Sequence, residues 1–246
     1  MRRIVIGGLH RCEACRLPHR WCVCAARETV AVPLAVDVMM HRRERFRPSS
    51  SGLVVSRVVE DSRLCVWERE GQWKTETLRR PGREVWVLHP HGEPMPAAPE
   101  PASVQVVLVD GVWSEAAVIA REALGWGRVV SLPMTGESRY WLRAQQEGGR
   151  FSTAEALIHL LRFFGFSAAG ETLRRQFELH VYANLRARGL KERAEDFLRG
   201  SPAAEAFPGL LARLNERRPL VVPTSNPDRR VDSEIPAATL PPTSTP

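Results

Sequence analysis

The sequence has no apolar run long enough to cross a bilayer, which argues against a helical integral membrane protein. Its opening, Met1-Arg2-Arg3-Ile4-Val5-Ile6-Gly7-Gly8, turns polar too soon for a secretory signal, so a cytoplasmic protein is expected. It has no internal repeat, which argues against a solenoid. Its cysteines do not pair evenly. There are five, and four of them fall between Cys12 and Cys24. In a reducing compartment such a cluster points to a metal rather than to disulfides. What the sequence does have is an ordinary apolar fraction of 43% and seven Trp, enough for a sizeable core in 246 residues.

The formal charge is +7, and most of it lies in residues 1–63, where 12 Arg face 6 Asp and Glu. A local basic excess can neutralise phosphates, although a solvated surface has the same composition. Three regions are expected. Residues 1–30 read as a metal knuckle too small to fold alone, and 31–215 carry the periodic patterns of a core. Residues 216–246, rich in Pro from Pro219 onward, read as a disordered tail.

Four short apolar runs read as buried strands: Leu34–Met40, Val85–Leu88, Val104–Val109 and Val129–Leu132. Runs of this kind suit a mostly parallel sheet covered on both faces. Helical patterns cover Ser114–Leu124, Thr153–Phe164 and Glu171–Arg188, so the expected class is α/β. Three of the strands run into loops: His89-Pro90-His91-Gly92-Glu93, Asp110-Gly111-Val112-Trp113 and Pro133-Met134-Thr135-Gly136-Glu137-Ser138. Ligands bind beyond the carboxyl ends of parallel strands, so these loops are expected to converge on one pocket. The segment 191–215 reads as a helical extension of open purpose.

Cys12, Cys15, Cys22 and Cys24 have the spacing of a closed tetrahedral zinc site, with a structural role. His19 is an alternative ligand, and Cys65 stands apart as a core residue. Arg42, Arg43, Arg45 and Arg47, with Phe46, form a basic loop that could grip phosphates and stack on a base, or could simply face solvent. Asp110 could be a general base or could cap the following helix. Ser152, Thr153 and Glu155 open a helix with a capping-box pattern, and the same N-terminus suits an anionic group. Arg139 or Arg143 could hold a carboxylate, or could lie on a surface helix.

Taken in order, these pieces resemble the DTW-domain family of tRNA-uridine aminocarboxypropyltransferases over about residues 12–188. The resemblance is carried by the Cys cluster, His41-Arg42-Arg43-Glu44, His89-Pro90-His91-Gly92-Glu93 and Asp110-Gly111-Val112-Trp113. It is carried also by Ser138-x-Tyr140-x-Leu142-Arg143 and Ser152-Thr153-Ala154-Glu155-Ala156. One position departs: Val112 stands where the family's Asp-x-Thr-Trp motif has Thr. The resemblance implies a SPOUT-like fold with a knotted cofactor region and S-adenosylmethionine as aminocarboxypropyl donor. The implied acceptor is N3 of a uridine in tRNA, and methylthioadenosine is released. On this reading Asp110 is the base, and Trp113 packs on the base or on adenine. Arg143 takes the donor's carboxylate, and Leu132, Pro133, Gly136, Ser152, Thr153 and Glu155 line the adenosine and ribose. Three rival expectations are a SPOUT-like tRNA methyltransferase, a zinc-containing RNA-binding protein without catalysis, and a zinc-ribbon interaction protein without an RNA role. Oligomeric state is left open.

Overall fold

The computed structural model describes residues 10–96, 99–143 and 151–216. The expected signal-free start, and the Pro-rich tail beyond Glu216, lie outside the described residues. Five strands, β1 (Ala35–His41), β2 (Arg63–Trp67), β3 (Glu84–Pro94), β4 (Val104–Asp110) and β5 (Arg128–Ser131), form one sheet in the order β2-β1-β4-β3-β5. Every pairing is parallel. The helices are α1 (Gly52–Val58), α2 (Thr75–Leu78), α3 (Trp113–Ala123), α4 (Thr153–Phe163) and α5 (Ser167–Ala187). Three more follow: α6 (Lys191–Arg199), α7 (Ala203–Ala206) and α8 (Pro208–Asn215). Among the described residues no helix is long and apolar enough to cross a membrane.

Successive strand residues point to opposite faces, so two apolar layers form. Val36, Val38 and Met40 of β1 pack with Val54 and Val58 of α1, Leu157 of α4 and Phe177 of α5. Met39, Val87 and Val107 pack on the other face with Ile119 and Ala123 of α3, Leu78 and Trp126. The segment 191–215 folds back onto this first core through Phe197, Leu210, Leu211 and Leu214. The knuckle joins the same core through Cys15, Leu17 and Val23.

Besides the single-turn α2, two elements escape a sequence reading. β2 is an edge strand of alternating exposure, with Arg63 and Leu64 partly open to solvent. α1 begins on a glycine and carries three Val in seven residues, a poor intrinsic helix former. Its burial, not its propensity, makes it helical: Val54, Val55 and Val58 are fully enclosed. A third finding corrects the expected loop after Leu88. The His89–Glu93 segment lies inside β3, as a break in register where Val130 of β5 faces both Leu88 and Glu93. A side chain at Gly92 would come within 2.5 Å of the Val130 carbonyl carbon, so only glycine fits this approach.

At the opposite end of β1 from the crevice described below, the wholly buried Asp37 carboxylate accepts from Arg63, Arg80 and the Gln105 amide at 2.8 Å. A buried anion of this kind is tolerable only with its partners in place. These contacts pin β1 and β4 to the loops at the amino ends of the strands.

Candidate functional site

α1 and α3 leave neighbouring strands, β1 and β4, toward opposite faces of the sheet. That arrangement opens a crevice beyond the carboxyl ends of β1 and β4, where Met40 and Asp110 lie in register. Asp110 is 4% exposed and closes β4. Its Oδ2 accepts from the Ser50 hydroxyl at 2.7 Å. Its Oδ1 accepts from the Thr153 hydroxyl at 2.7 Å and from Gly52 N–H at 3.2 Å. Asp110 therefore draws the starts of α1 and α4 together, residues distant in the chain. A side chain at Gly52 would meet the Asp110 carboxyl carbon at 2.7 Å, so glycine is required there.

The loop entering α1 is held at every residue. Pro48 C=O accepts from His180 Nε2 at 2.7 Å and Asn184 Nδ2 at 3.1 Å, both on α5. Ser49 C=O accepts from the Tyr140 hydroxyl, and Ser51 Oγ accepts from Ala154 N–H at 3.4 Å. The carbonyl partner requires a proton on His180 Nε2 and leaves a bare, enclosed Nδ1. Burial, reinforced by the Arg57 charge and to a lesser degree by Arg188, pushes the His180 imidazole down to about 3. It is neutral in the folded chain, while the unfolded chain protonates below about pH 6.5. Stability from this group is thus full above that value and is lost as pH falls toward 3. His180→Gln keeps a donor for Pro48 and removes the titration. The expected result is a shallower loss of stability between pH 7 and 5 than in the wild type, by up to about 1.4 kcal/mol per pH unit. Denaturant midpoints across that range check it, and parallel curves would exclude the assignment.

A ring of charge surrounds the loop. Glu44, wholly buried, pairs with Arg47 and Arg143. Glu115, at the start of α3, accepts from Val112 N–H at 3.1 Å and from Arg47 at 3.1 Å, with His41 at 3.4 Å. Burial alone would raise the Glu115 carboxyl; the Val112 N–H and Arg47 outweigh it and hold the group below its ordinary value. Burial lowers His41, the Glu115 carboxylate opposes this, and the flanking Arg43, Arg42 and Arg47 leave the net direction downward.

The expected site residues separate into groups. Asp110, Thr153, Ser152 and Glu155 come together. Ser152 and Glu155 form the capping box, and Glu155 also accepts from the Ser138 hydroxyl at 2.9 Å and Arg139 N–H at 2.6 Å. Those bonds fasten the end of the loop carrying Leu132, Pro133 and Gly136 to the start of α4. Arg143 is spent inside the protein, on Glu44 and on Gly111 C=O at 3.3 Å. Arg139 is likewise occupied, by Glu178 and Phe197 C=O. Arg47 is held between Glu44 and Glu115, whereas Arg42, Arg43 and Arg45 are exposed. Phe46 is 68% exposed with Arg45 over its ring, and Trp113, at the first turn of α3, is 51% exposed. Sequence reading missed Glu44, Glu115, Tyr140, His180 and the Ser49–Gly52 anchor.

Val112 is the N-cap of α3 and has no side-chain acceptor to offer. Glu115 supplies one half of a capping box through the Val112 N–H, and the hydroxyl half is missing. Val112→Thr is therefore expected to stabilise the fold by about 1 kcal/mol. Thermal denaturation checks this, and an unchanged or lowered midpoint would count against the capping role.

The four cysteine sulfurs lie within 4.8 Å of one another, with Cys12–Cys24 and Cys15–Cys22 each at 3.7 Å. Four thiolates about 2.3 Å from one tetrahedral ion are separated by roughly 3.8 Å, so the set could hold a metal ion. The turn between the first pair closes through Arg16 N–H on Cys12 C=O and Cys12 N–H on Leu17 C=O, both 2.8 Å, with Arg16 at φ 61°. His19 is not part of the cluster, and Cys65 is buried on β2.

No solved structure matches the chain. The model of the DTW domain matches residues 9–184, a span holding the sheet, the crevice, the cysteine cluster and most of α5. The chain belongs to the DTW-domain family, which is consistent with a tRNA-modifying enzyme.

Proposed function

We propose that this protein transfers a 3-amino-3-carboxypropyl group from S-adenosylmethionine to N3 of a uridine in tRNA, acting in the cytoplasm. The observation that carries the reading is Asp110: a carboxylate 4% exposed, at the switch between two parallel strands, whose direct partners are all neutral donors. Glu44 and Glu115 are matched by Arg47 and Arg143, whereas Asp110, like Glu155, has only neutral hydrogen-bond donors among the described residues, and of the two Asp110 is the one at the carboxyl end of a strand. A buried anion of that kind suits a site for a cationic donor.

When bound, the donor supplies a sulfonium-activated carbon, so the protein's task is to orient groups and move one proton. N3–H must be lost as the new bond to carbon forms and the carbon–sulfur bond breaks. The described residues fill three of the four acceptor positions of Asp110, and the second position on Oδ2 is the one proposed to take that proton. The tethered Pro48–Gly52 loop fixes the carboxylate, and a fixed geometry decides which carbon is attacked. The start of α4 and the 132–136 turn are the surfaces for the donor's polar ends, within the knotted cofactor region that the SPOUT likeness implies. Because Arg143 is occupied by Glu44, the positive end of the α4 helix dipole suits the donor's carboxylate better. Arg42, Arg43 and Arg45 suit the tRNA backbone, and Phe46 and Trp113 suit an unstacked base. Zinc suits the four thiolates, as a structural ion.

Val112 does not argue for a protein without catalysis, since a hydroxyl at that position has a capping use. The test is incubation of purified protein with tRNA and S-adenosylmethionine, followed by nucleoside mass spectrometry. Aminocarboxypropyluridine with methylthioadenosine is expected. Adenosylhomocysteine with a methylated nucleoside would replace the reading by methyl transfer, and unmodified tRNA would leave an RNA-binding protein.

A further inference from the structure

We propose that Glu44 is a positioning residue for the transfer: through Arg47, Glu115 and Arg143 it clamps both ends of the Gly111–Val112 peptide, the link between Asp110 and Trp113. The inference rests on the proposed reaction and adds what holds those two groups at a fixed spacing.

In a trans peptide the C=O and the N–H point in opposite directions, so a clamp on it must reach both sides. Gly111 C=O accepts from Arg143 Nη1 at 3.3 Å, and Val112 N–H donates to Glu115 Oε2 at 3.1 Å. The circuit closes on Glu44. Arg143 Nη2 donates to Glu44 Oε2, and Arg47 Nη1 donates both to Glu44 Oε1 and, at 3.1 Å, to Glu115 Oε2. Glu44 and Arg47 come from the turn after β1, Glu115 from α3, and Arg143 from the segment after Tyr140. Two carboxylates balance two guanidiniums around this ring, and Glu44 itself is wholly buried.

Gly111 makes such a clamp necessary. Without a Cβ its backbone is permissive, and rotating the peptide that follows swings Trp113 relative to Asp110. A displacement of about 1 Å at reacting groups can cost on the order of 10²-fold in rate. Simple capping of α3 needs only Glu115 on the Val112 N–H. Arg143 on Gly111 C=O has no part in a cap, and Glu44 joins the two arms.

The test uses the full chain. Glu44→Gln keeps the volume, offers one acceptor oxygen in place of two, and turns an NH₂ toward a guanidinium. Arg143→Lys keeps a charge beside Glu44 and loses the fork that reaches two partners. Asp37→Asn disturbs an equally buried carboxylate, also held by two arginines, at the far end of β1, and so controls for lost stability. Glu44→Gln is expected to quicken amide exchange at Val112 by about tenfold or more, Arg143→Lys in the same direction, and Asp37→Asn little. Turnover in Glu44→Gln is expected to fall about 10- to 100-fold with KM for the donor little changed. Adenosylhomocysteine is expected beside methylthioadenosine, as N3 bonds to the methyl carbon and the sulfur–methyl bond breaks. Asp37→Asn, well below its midpoint, keeps wild-type turnover and a single product. Wild-type exchange at Val112 in Glu44→Gln would overturn the proposal, and so would equal losses of turnover in Glu44→Gln and Asp37→Asn. Should Glu44→Gln not fold, Arg143→Lys against Asp37→Asn decides in the same way. A wild type that forms no aminocarboxypropyluridine sinks the reaction and with it the catalytic use of the clamp. Wild-type transfer with an unimpaired Glu44→Gln sinks this proposal alone.

Discussion

Asp110→Asn is expected to lower transfer by about 10²- to 10⁴-fold with little change in stability. The amide is the same size as the carboxylate. Its oxygen still accepts from Gly52 N–H and the Thr153 hydroxyl, and the Ser50 hydroxyl can turn to accept from the new NH₂. The bridge between α1 and α4 therefore survives, while the proton acceptor is gone. Asp110→Ala differs, because it leaves two hydroxyls and an N–H without their partner in an enclosed site. Each buried orphan costs about 1–3 kcal/mol, so the alanine protein is expected to be visibly unstable. Donor binding by calorimetry and single-turnover transfer separate two roles. Loss of transfer with binding kept identifies Asp110 as the proton acceptor. Loss of both identifies it as the counter-charge to the sulfonium. An asparagine protein with full activity would falsify both roles and reduce Asp110 to a tether.

The fold was legible where a segment carried its own signal. Buried parallel strands show as apolar runs, and α3, α4 and α5 show as long periodic helices, so four of the five strands and the main helices could be read. α1 and β2 could not, because each owes its form to neighbours. α1 is a valine-rich turn that only the α4–α5 layer makes helical, and β2 is a half-exposed edge. The site divides along the same line. Asp110, Thr153 and the capping box stand at strand and helix ends, where sequence position implies a role. Glu44 sits in a run of arginines and reads as solvated, yet it is wholly buried and organises Arg47 and Arg143. An arginine looks the same in sequence whether it awaits a phosphate or already holds a buried carboxylate. That is why Arg47 and Arg143 were expected to face ligands. Glu115 was more accessible to reasoning, since a Glu three residues past a helix start signals a cap. His180 and Tyr140 hold the Pro48–Gly52 loop from 132 and 91 residues away, contacts that no local pattern encodes.

Removing the metal is expected to have the second large effect, on stability first and on transfer through it. Cys15, Leu17 and Val23 are enclosed in the same core as α5, although residues 10–30 have no regular element longer than a single 3-10 turn. Such a segment cannot offset its own chain entropy, and the ion supplies what the apolar contacts lack. Cys15→Ser weakens that ion's hold and places a polar group in the core, with an expected loss of about 3 kcal/mol or more. For a domain of this size that lowers the thermal midpoint by roughly 6–12 °C. The consequence for the crevice runs through α1. The Val30 bonds to Val58 and Glu60, with Gln176 Nε2 on Ala26 C=O at 2.7 Å, join the knuckle's exit to α1 and α5. Gly52, at the other end of α1, holds Asp110. Without the metal, amide exchange is expected to quicken first at residues 12–30 and then along α1, with transfer falling in step and the sheet unaffected. Chelator-treated protein with an unchanged midpoint and unchanged protection at α1 would show that the four sulfurs serve some end other than holding this site together.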